Sequence, residues 1–339
     1  MEQGKIKIGV IGCGYWGPNL IRNFNNIGEA EILYICDIDE MKLSSIKDNY
    51  PKVKTTKDYK EILKDPDVDA VLVALPVFLH YPIAKDALLH NKHVLVEKPM
   101  TSNSEQAKEL IEIAREKNKV LMVDHTFEYS EPIKKIKEIV DSGDLGDIYY
   151  IRAEWLNLGL LQPDVHVVWD LAPHIISIIG YVTGLKPESL NAHAKGYIRE
   201  DIPEIAHINI NFENGVSAYI TTGWLEPKKT RTMTIVGSKK LLVFDLINKE
   251  ESVRVYDKSV KIIKVDDIRN VKLHYKYGDT ISYNIKDVES LNTMCRHFVD
   301  CIINNKKPQS DGESGLRVVK VLEKIDESLR NNAKEITLI

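Results

Sequence analysis

Short apolar runs alternate with helical periodicities through the first third of the chain. Ile6–Gly12 (IKIGVIG), Ala30–Asp37 (AEILYICD), Asp69–Pro76 (DAVLVALP), His93–Pro99 (HVLVEKP) and Lys119–His125 (KVLMVDH) read as strands. Helical patterns separate them: about Gly17–Asn26, DEMKLSSIKDNY with Asp39 as its N-cap, HYPIAKDALLH, and SEQAKELIEIAREKN with Ser104 as its cap. Near-continuous apolar strands divided by helices predict a parallel sheet covered on both faces.

After about His125 the pattern changes. PIKKIKEIVDSG predicts a helix ending at Gly143, a residue suited to the position just past a helix. Ile148–Trp155 alternates like a half-exposed strand, and a loop containing Gly159 and Pro163 leads into the helix WDLAPHIISIIGYV. AHININ and VSAYITT flank Glu213-Asn214-Gly215, a hairpin signal, and RTMTIVG and KLLVFD flank a turn at Gly237-Ser238. Two helices follow, about Asp287–Asn304 and Gly312–Asn331, the second with Asp311 as candidate cap. The fold expected is α/β: an N-terminal Rossmann-type doubly wound parallel sheet over residues 1–124, then an α+β domain over 125–339 with a large, open, mostly antiparallel sheet. The last helix is a candidate to pack back on the first domain.

Composition adds little that redirects this reading. The chain has 339 residues, 43% hydrophobic and 28% charged, which is ordinary for a globular protein and long enough for two cores. A net charge of −4 argues against a nucleic-acid or acidic-membrane partner. The N-terminus runs straight into a strand with no signal-peptide pattern, and no apolar run spans a bilayer, so a cytoplasmic protein is expected. Cys13, Cys36, Cys295 and Cys301 have neither metal spacing nor a disulfide pattern and read as small buried hydrophobes. The histidines form no cluster suited to a metal.

Gly12, Gly14 and Gly17 stand in G-x-G-x-x-G spacing after a strand and at the start of a helix. In that context the glycines serve a tight turn, a close approach to a pyrophosphate and helix–sheet contact, and the helix N-terminus receives the phosphates. Asp37 ends the second strand, where an acid accepts from adenosine ribose hydroxyls and repels a 2′-phosphate, which favours NAD over NADP. Asp37 as a mere helix cap is the competing reading, though Asp39 is available for that job. The candidate cofactor-contacting set is Gly12, Gly14, Tyr15, Trp16, Gly17, Asp37, Ala74, Pro76, His80, Glu97 and Lys98.

The strand HVLV ends abruptly in Glu97-Lys98-Pro99, and ligands in doubly wound sheets lie beyond the carboxyl ends of strands. Lys98 is thus placed to meet a nicotinamide or a substrate oxygen; from position alone a solvent-exposed lysine is the commoner outcome. GVIGCGYWG, EKP at Glu97–Pro99 and WDLAPH at Trp169–His174 together resemble the Gfo/Idh/MocA oxidoreductases, as do GDLGDIYYI, the VGS turn and DGESGLRVVKVLEKID. The resemblance implies two domains, a dimer or tetramer formed through the C-terminal sheet, and a catalytic set of Lys98, Asp170 and His174. Asp170 and His174, four residues apart, share one helix face and are expected opposite Lys98. His174 suits the base that removes a hydroxyl proton, Asp170 orients it or binds a hydroxyl, and Lys98 stabilises charge on the oxygen. Relatives of this kind often continue with an acid where this chain has Ile175, which leaves a role for that acid in doubt.

GYWGPNLIRNF and AEWLNLGLLQPDVHVVWDLAPH look most like the nucleotide-sugar branch of the family, which includes UDP-N-acetylglucosamine 3-dehydrogenases. The candidate substrate-contacting residues are Lys98, Arg152, Asn157, Gln162, His166, Asp170 and His174. PKKTRT at Pro227–Thr232 is a small basic run, either a diphosphate partner or a solvated face. The readings carried forward are NAD-dependent oxidation of a UDP-sugar at C3, oxidation or reduction of a free sugar or polyol such as inositol, and a non-catalytic NAD-responsive regulator.

Overall fold

The computed structural model describes residues 4–159, 161–162, 165–265 and 271–338, so Pro163 lies outside the described residues. The chain divides into two units, one running up to Tyr129 together with Glu289–Lys320, the other Ser130–Val288 with Val321 onward.

The first unit is built from β1 (Ile6–Ile11), α1 (Gly17–Asn25), β2 (Ala30–Cys36), α2 (Glu40–Asn49), β3 (Lys54–Thr56), α3 (Tyr59–Lys64), β4 (Ala70–Val73), α4 (Val77–Leu89), β5 (His93–Val96), α5 (Ser104–Glu116) and β6 (Leu121–Val123). Among the described residues six strands pair in the order β3-β2-β1-β4-β5-β6, all parallel. The order reverses direction at β1 and β4, the switch point where such sheets bind ligands. Alternate residues divide the core between two faces. Ile8, Val10 and Leu72 join α1 and the later helix α8 (Ser290–Ile303), while Ile11, Val71 and Val73 join α4 and α5. The apolar runs are continuous because both faces are dry.

Several local expectations hold. Asp39 caps α2 through Met41 N at 2.9 Å. Asp311 receives Ser314 N at 2.8 Å at the start of α9 (Gly312–Arg330). Gly143, φ +71°, follows the end of α6 (Glu131–Asp141). The cap of α5 is a correction: Asn103, not Ser104, accepts Gln106 N at 2.9 Å, and Ser104 is already helical. β3 and α3 are too short to carry a readable period and were not expected.

In the second unit, β7 (Ile148–Leu158), β8 (Pro187–Lys195), β9 (Ile205–Phe212), β10 (Ser217–Gly223), β11 (Leu225–Gly237), β12 (Leu241–Asp245), β13 (Val253–Val265), β14 (Val271–Ser282) and β15 (Ile336–Thr337) form one sheet. Its order is β14-β13-β12-β11-β7-β10-β9-β8-β15 among the described residues, antiparallel throughout except for β10 on β7. Helix α7 (Val167–Thr183) packs against β7, β9 and β10. Alternation then decides orientation on β7: Ile151, Ala153 and Trp155 are buried, whereas Tyr150 and Arg152 face the opposite, open side. Asn214 and Gly215, at φ +67° and +75°, make the expected turn between β9 and β10.

Phe298 of α8 meets Phe24 of α1 edge-to-face, with centroids 6.2 Å apart, both fully buried within the first unit. Phe298→Ala is expected to cost about 3–5 kcal/mol in denaturant unfolding; a loss below about 1 kcal/mol would place this pair outside the core that holds α8.

Candidate functional site

The glycine loop is shaped by contact. A Cβ on Gly12 (φ +102°) would lie 2.2 Å from the Ala74 carbonyl oxygen, and one on Gly17 would lie 2.2 Å from the Gly12 carbonyl oxygen. The first glycine therefore lets β1 and β4 end side by side, and the third lets α1 close on the loop. A Cβ on Gly14 would meet no protein atom within 4 Å. Helix α1 opens with Trp16 at its N-cap, without side-chain capping and without an acid in its first turn. That leaves a backbone N–H cluster and positive dipole end suited to a pyrophosphate.

Asp37, 9% exposed, is oriented by backbone: Oδ2 accepts from Cys13 N at 2.7 Å and Oδ1 from Asp39 N at 2.9 Å. Lys42 Nζ stands 4.0 Å from the same carboxylate. A cavity of about 760 Å³ opens between α1 and α2 here, with Cys13, Asn19, Arg22, Asp39 and Lys42 in its wall. Tyr15 is exposed and stacks loosely on Trp16. Burial, and then Asp37 beside it, push the Cys13 thiol up to about 12, so it stays a neutral hydrophobe. All four cysteines are buried and unbridged.

Beyond β5 and β6 the chemistry concentrates. Asp124, which sequence reasoning did not single out, accepts from Trp16 Nε1 at 3.0 Å, from Thr126 N at 3.1 Å and from the Thr126 hydroxyl. Its charge also acts on the neighbouring Glu97. Burial first, then the Asp124 charge, hold Glu97 well above the usual carboxylate range. Lys98 follows directly, and its peptide to Pro99 is cis. His80, 1% exposed, has Nδ1 2.9 Å from the Pro99 carbonyl oxygen and Nε2 2.7 Å from that of Leu75. Both ring nitrogens thus face backbone at the ends of β4 and β5, next to Ala74 and Pro76, rather than an open surface. Asp124 had a readable signal: like Asp37 and Glu97, it is the first polar residue after an apolar strand.

In the second unit Asp170 lies in the first turn of α7, one turn before His174. Trp224, 1% exposed, donates its indole N–H to Asp170 Oδ2 at 3.0 Å. Arg231, 8% exposed, bonds Leu156 O at 3.0 Å, Thr230 O at 2.8 Å and Asn157 Oδ1 at 2.5 Å. Burial lowers its pKa to about 10, opposed by the charge of Asp170. Among the described residues this guanidinium makes no ion pair. Lys228 and Lys229 of the same basic run are exposed, so PKKTRT splits into two surface lysines and one buried arginine. Arg199 donates to the Gln162 carbonyl at 2.7 Å and lies over the Trp224 ring.

The expected substrate residues therefore scatter. Asn157 and Gln162 join the group around Asp170 through Arg231 and Arg199. His166 instead turns to Asp326, with Nε2–Oδ1 at 3.1 Å, where Trp169 Nε1 also donates at 2.9 Å. Arg152 is on the opposite face of β7 from α7 and lies 3.9 Å from Glu154. Ile175 is buried at 1% exposure in the helix core, which accounts for an apolar residue there. Trp224, Arg199 and Asp326 carried no local signal, because their partners are distant in sequence; Arg231 was visible only as part of the basic run PKKTRT. Among the described residues no His/Cys/Asp/Glu group could hold a metal, and no helix is long and apolar enough to cross a membrane.

Comparison with known proteins agrees with this layout. Residues 6–125 match the model of an oxidoreductase family with an NAD-binding Rossmann fold, Gfo/Idh/MocA. Residues 133–243 match the Gfo/Idh/MocA C-terminal domain. The uncharacterised oxidoreductase YrbE of Bacillus subtilis is 23% identical over 96% of this chain and 94% of its own length. Myo-inositol 2-dehydrogenase of Thermotoga maritima is 23% identical over 91% of this chain and 92% of its own. The UDP-N-acetylglucosamine 3-dehydrogenase GnnA of Acidithiobacillus ferrooxidans superposes with a TM-score of 0.81 at 20% identity, covering 98% of this chain and 100% of that one.

Replacing Asp37 by Ser is expected to shift the NAD-to-NADP ratio of dissociation constants toward NADP by roughly tenfold or more, since an ionised acceptor is lost; titration of both dinucleotides measures it, and an unchanged ratio refutes the assignment. A second expectation concerns pH. Burial, then the charge of Lys98, lower the pKa of His125 to about 3; burial, then Lys119, lower that of His93 to about 4. Both are neutral when folded, whereas the unfolded chain takes up protons near about pH 6.5. Their contribution is intact above about 6.5 and is lost as pH falls toward 4. Glu97 acts in the opposite sense, favouring the fold while protonated and losing that contribution as pH rises through its raised folded-state pKa. The fall in melting temperature from about pH 6.5 to 4.5 is expected to be shallower in His125→Gln; an equal slope contradicts this account.

Proposed function

The chain belongs to the Gfo/Idh/MocA family and is an NAD-dependent oxidoreductase acting on CH–OH donors, and within that class we propose that it oxidises a ring secondary alcohol of a UDP-sugar, with C3 of UDP-N-acetylglucosamine as the best candidate. The observation that carries the reading is the Asp170–His174 pair on one turn of α7, with Asp170 held by the Trp224 indole N–H at 3.0 Å. Such a pair binds a hydroxyl and takes its proton.

When bound, NAD supplies the hydride acceptor. The glycine loop and the α1 N-terminus bind its pyrophosphate, and Asp37 accepts from its adenosine ribose. His174 removes the hydroxyl proton of the substrate. Asp170 orients the imidazole or holds a neighbouring hydroxyl. Lys98 donates to the oxygen as charge develops on it. Asn157, fixed by Arg231, and the Gln162 segment, fixed by Arg199, are candidates to meet the sugar. The likeness to GnnA supports the nucleotide-sugar choice at the level of fold. The similarity to myo-inositol 2-dehydrogenase supports a second reading, a free polyol as substrate, for which the same proton-handling residues serve.

NADH absorbance with a panel of UDP-sugars and free polyols tests the choice: turnover confined to polyols selects the second reading. Lys98→Ala and His174→Ala are each expected to lower turnover by about 10²–10⁴-fold while NAD binding is retained. Near-normal turnover in both rejects these roles.

A further inference from the structure

Trp224 sits at the junction of β10 and β11, fully buried, and is held from every side visible in the second unit. Its backbone N–H donates to Glu204 O at 2.9 Å, and its carbonyl accepts from Gly159 N at 2.9 Å. Glu204 itself is fixed by N–H groups of Tyr197, Ile198 and Arg199 at 2.6, 3.0 and 3.0 Å. The Arg199 guanidinium lies 6.0 Å from the centroid of the indole. Gly159 leaves the room: a Cβ there would lie 2.9 Å from Trp224 Cδ1 and 2.6 Å from Asn157 Nδ2. An indole so constrained has one orientation, and its N–H points at Asp170 Oδ2.

An aspartate side chain has two torsions about which its carboxylate can turn. Fixing one oxygen removes that freedom before substrate arrives, which is how a reacting geometry is prepared in advance.

We propose that Trp224 is a positioning residue for the reaction: its indole N–H sets the Asp170 carboxylate in the one orientation that serves substrate and His174, and Gly159 is small so that the indole can reach. This rests on the role assigned to Asp170 above. It predicts a loss in turnover rather than in affinity, because the binding surface is unchanged and only the acceptor's aim is lost.

The test is a double-mutant cycle of Trp224→Phe and Asp170→Ala. NADH formation is followed with whichever of UDP-N-acetylglucosamine and myo-inositol turns over. Trp224→Phe, which keeps the ring and deletes the donor, is expected to lower kcat by about 10- to 100-fold with KM changed less than about threefold. In the Asp170→Ala background it is expected to add less than about twofold. Full activity of Asp170→Ala refutes the role of Asp170; a crippled Asp170→Ala beside a normal Trp224→Phe refutes the positioning role alone. A readout independent of turnover comes from ¹⁵N-labelled protein, which carries four tryptophans. The indole N–H signal lost in Trp224→Phe is expected to shift and to exchange faster with water in Asp170→Ala. An unmoved signal overturns the proposal, as does an unmoved signal in Gly159→Ala, where the added methyl must displace the indole.

Discussion

The constraint on which the cofactor half of this protein turns is the Asp124 carboxylate, which three donors from two segments hold in place. Glu97 follows β5 and Asp124 follows β6; burial first, then the Asp124 charge, hold the Glu97 pKa well above the usual carboxylate range. The Trp16 indole, the Thr126 amide and the Thr126 hydroxyl all donate to Asp124. One carboxylate thereby ties the glycine loop to the end of β6. Nearby, the His80 ring lies between the carbonyl oxygens of Leu75 and Pro99, at 2.7 and 2.9 Å, and donates to one of them.

The same device recurs in the second unit. Trp169 donates to Asp326 at 2.9 Å and Trp224 donates to Asp170 at 3.0 Å, as Trp16 does to Asp124. A buried indole brings a large apolar body and one donor that must find an acceptor. Pairing it with aspartate satisfies the donor and fixes the acid. At Asp326 the result is an anchor for the start of α7, reinforced by His166. At Asp170 it falls on the group assigned to substrate. Arg231, stacked 5.6 Å from the Trp155 ring and bonded to two carbonyls, fixes Asn157 in the same neighbourhood. Polar groups buried this way keep their geometry because any departure leaves a donor or a charge unmet.

Reading along the chain located what local chemistry dictates. The glycine spacing, the acid after β2, the lysine after β5 and the i, i+4 pair on α7 stand where strand and helix grammar put them. The alternation on β7 and the turn at Asn214-Gly215 were legible for the same reason. The misses have physical causes as well. β3 and α3 span under two turns or pleats of period, and the α5 cap went to Asn103 because either neighbour offered an acceptor and geometry chose between them. Arg152 and Asn157 looked alike in sequence, yet the period of two sends them to opposite faces of one strand.

By itself the sequence determined the element types, the parallel character of the first sheet, the family and the NAD-binding loop, since each follows from contacts within a few residues or from a spacing. Tertiary structure alone decided which buried donor meets which acid: Trp16 with Asp124, Trp224 with Asp170, and His166 with Asp326 are 108, 54 and 160 positions apart. Sheet order and helix packing set those pairings, and no periodicity along a single segment encodes a hydrogen bond whose partner is supplied by another.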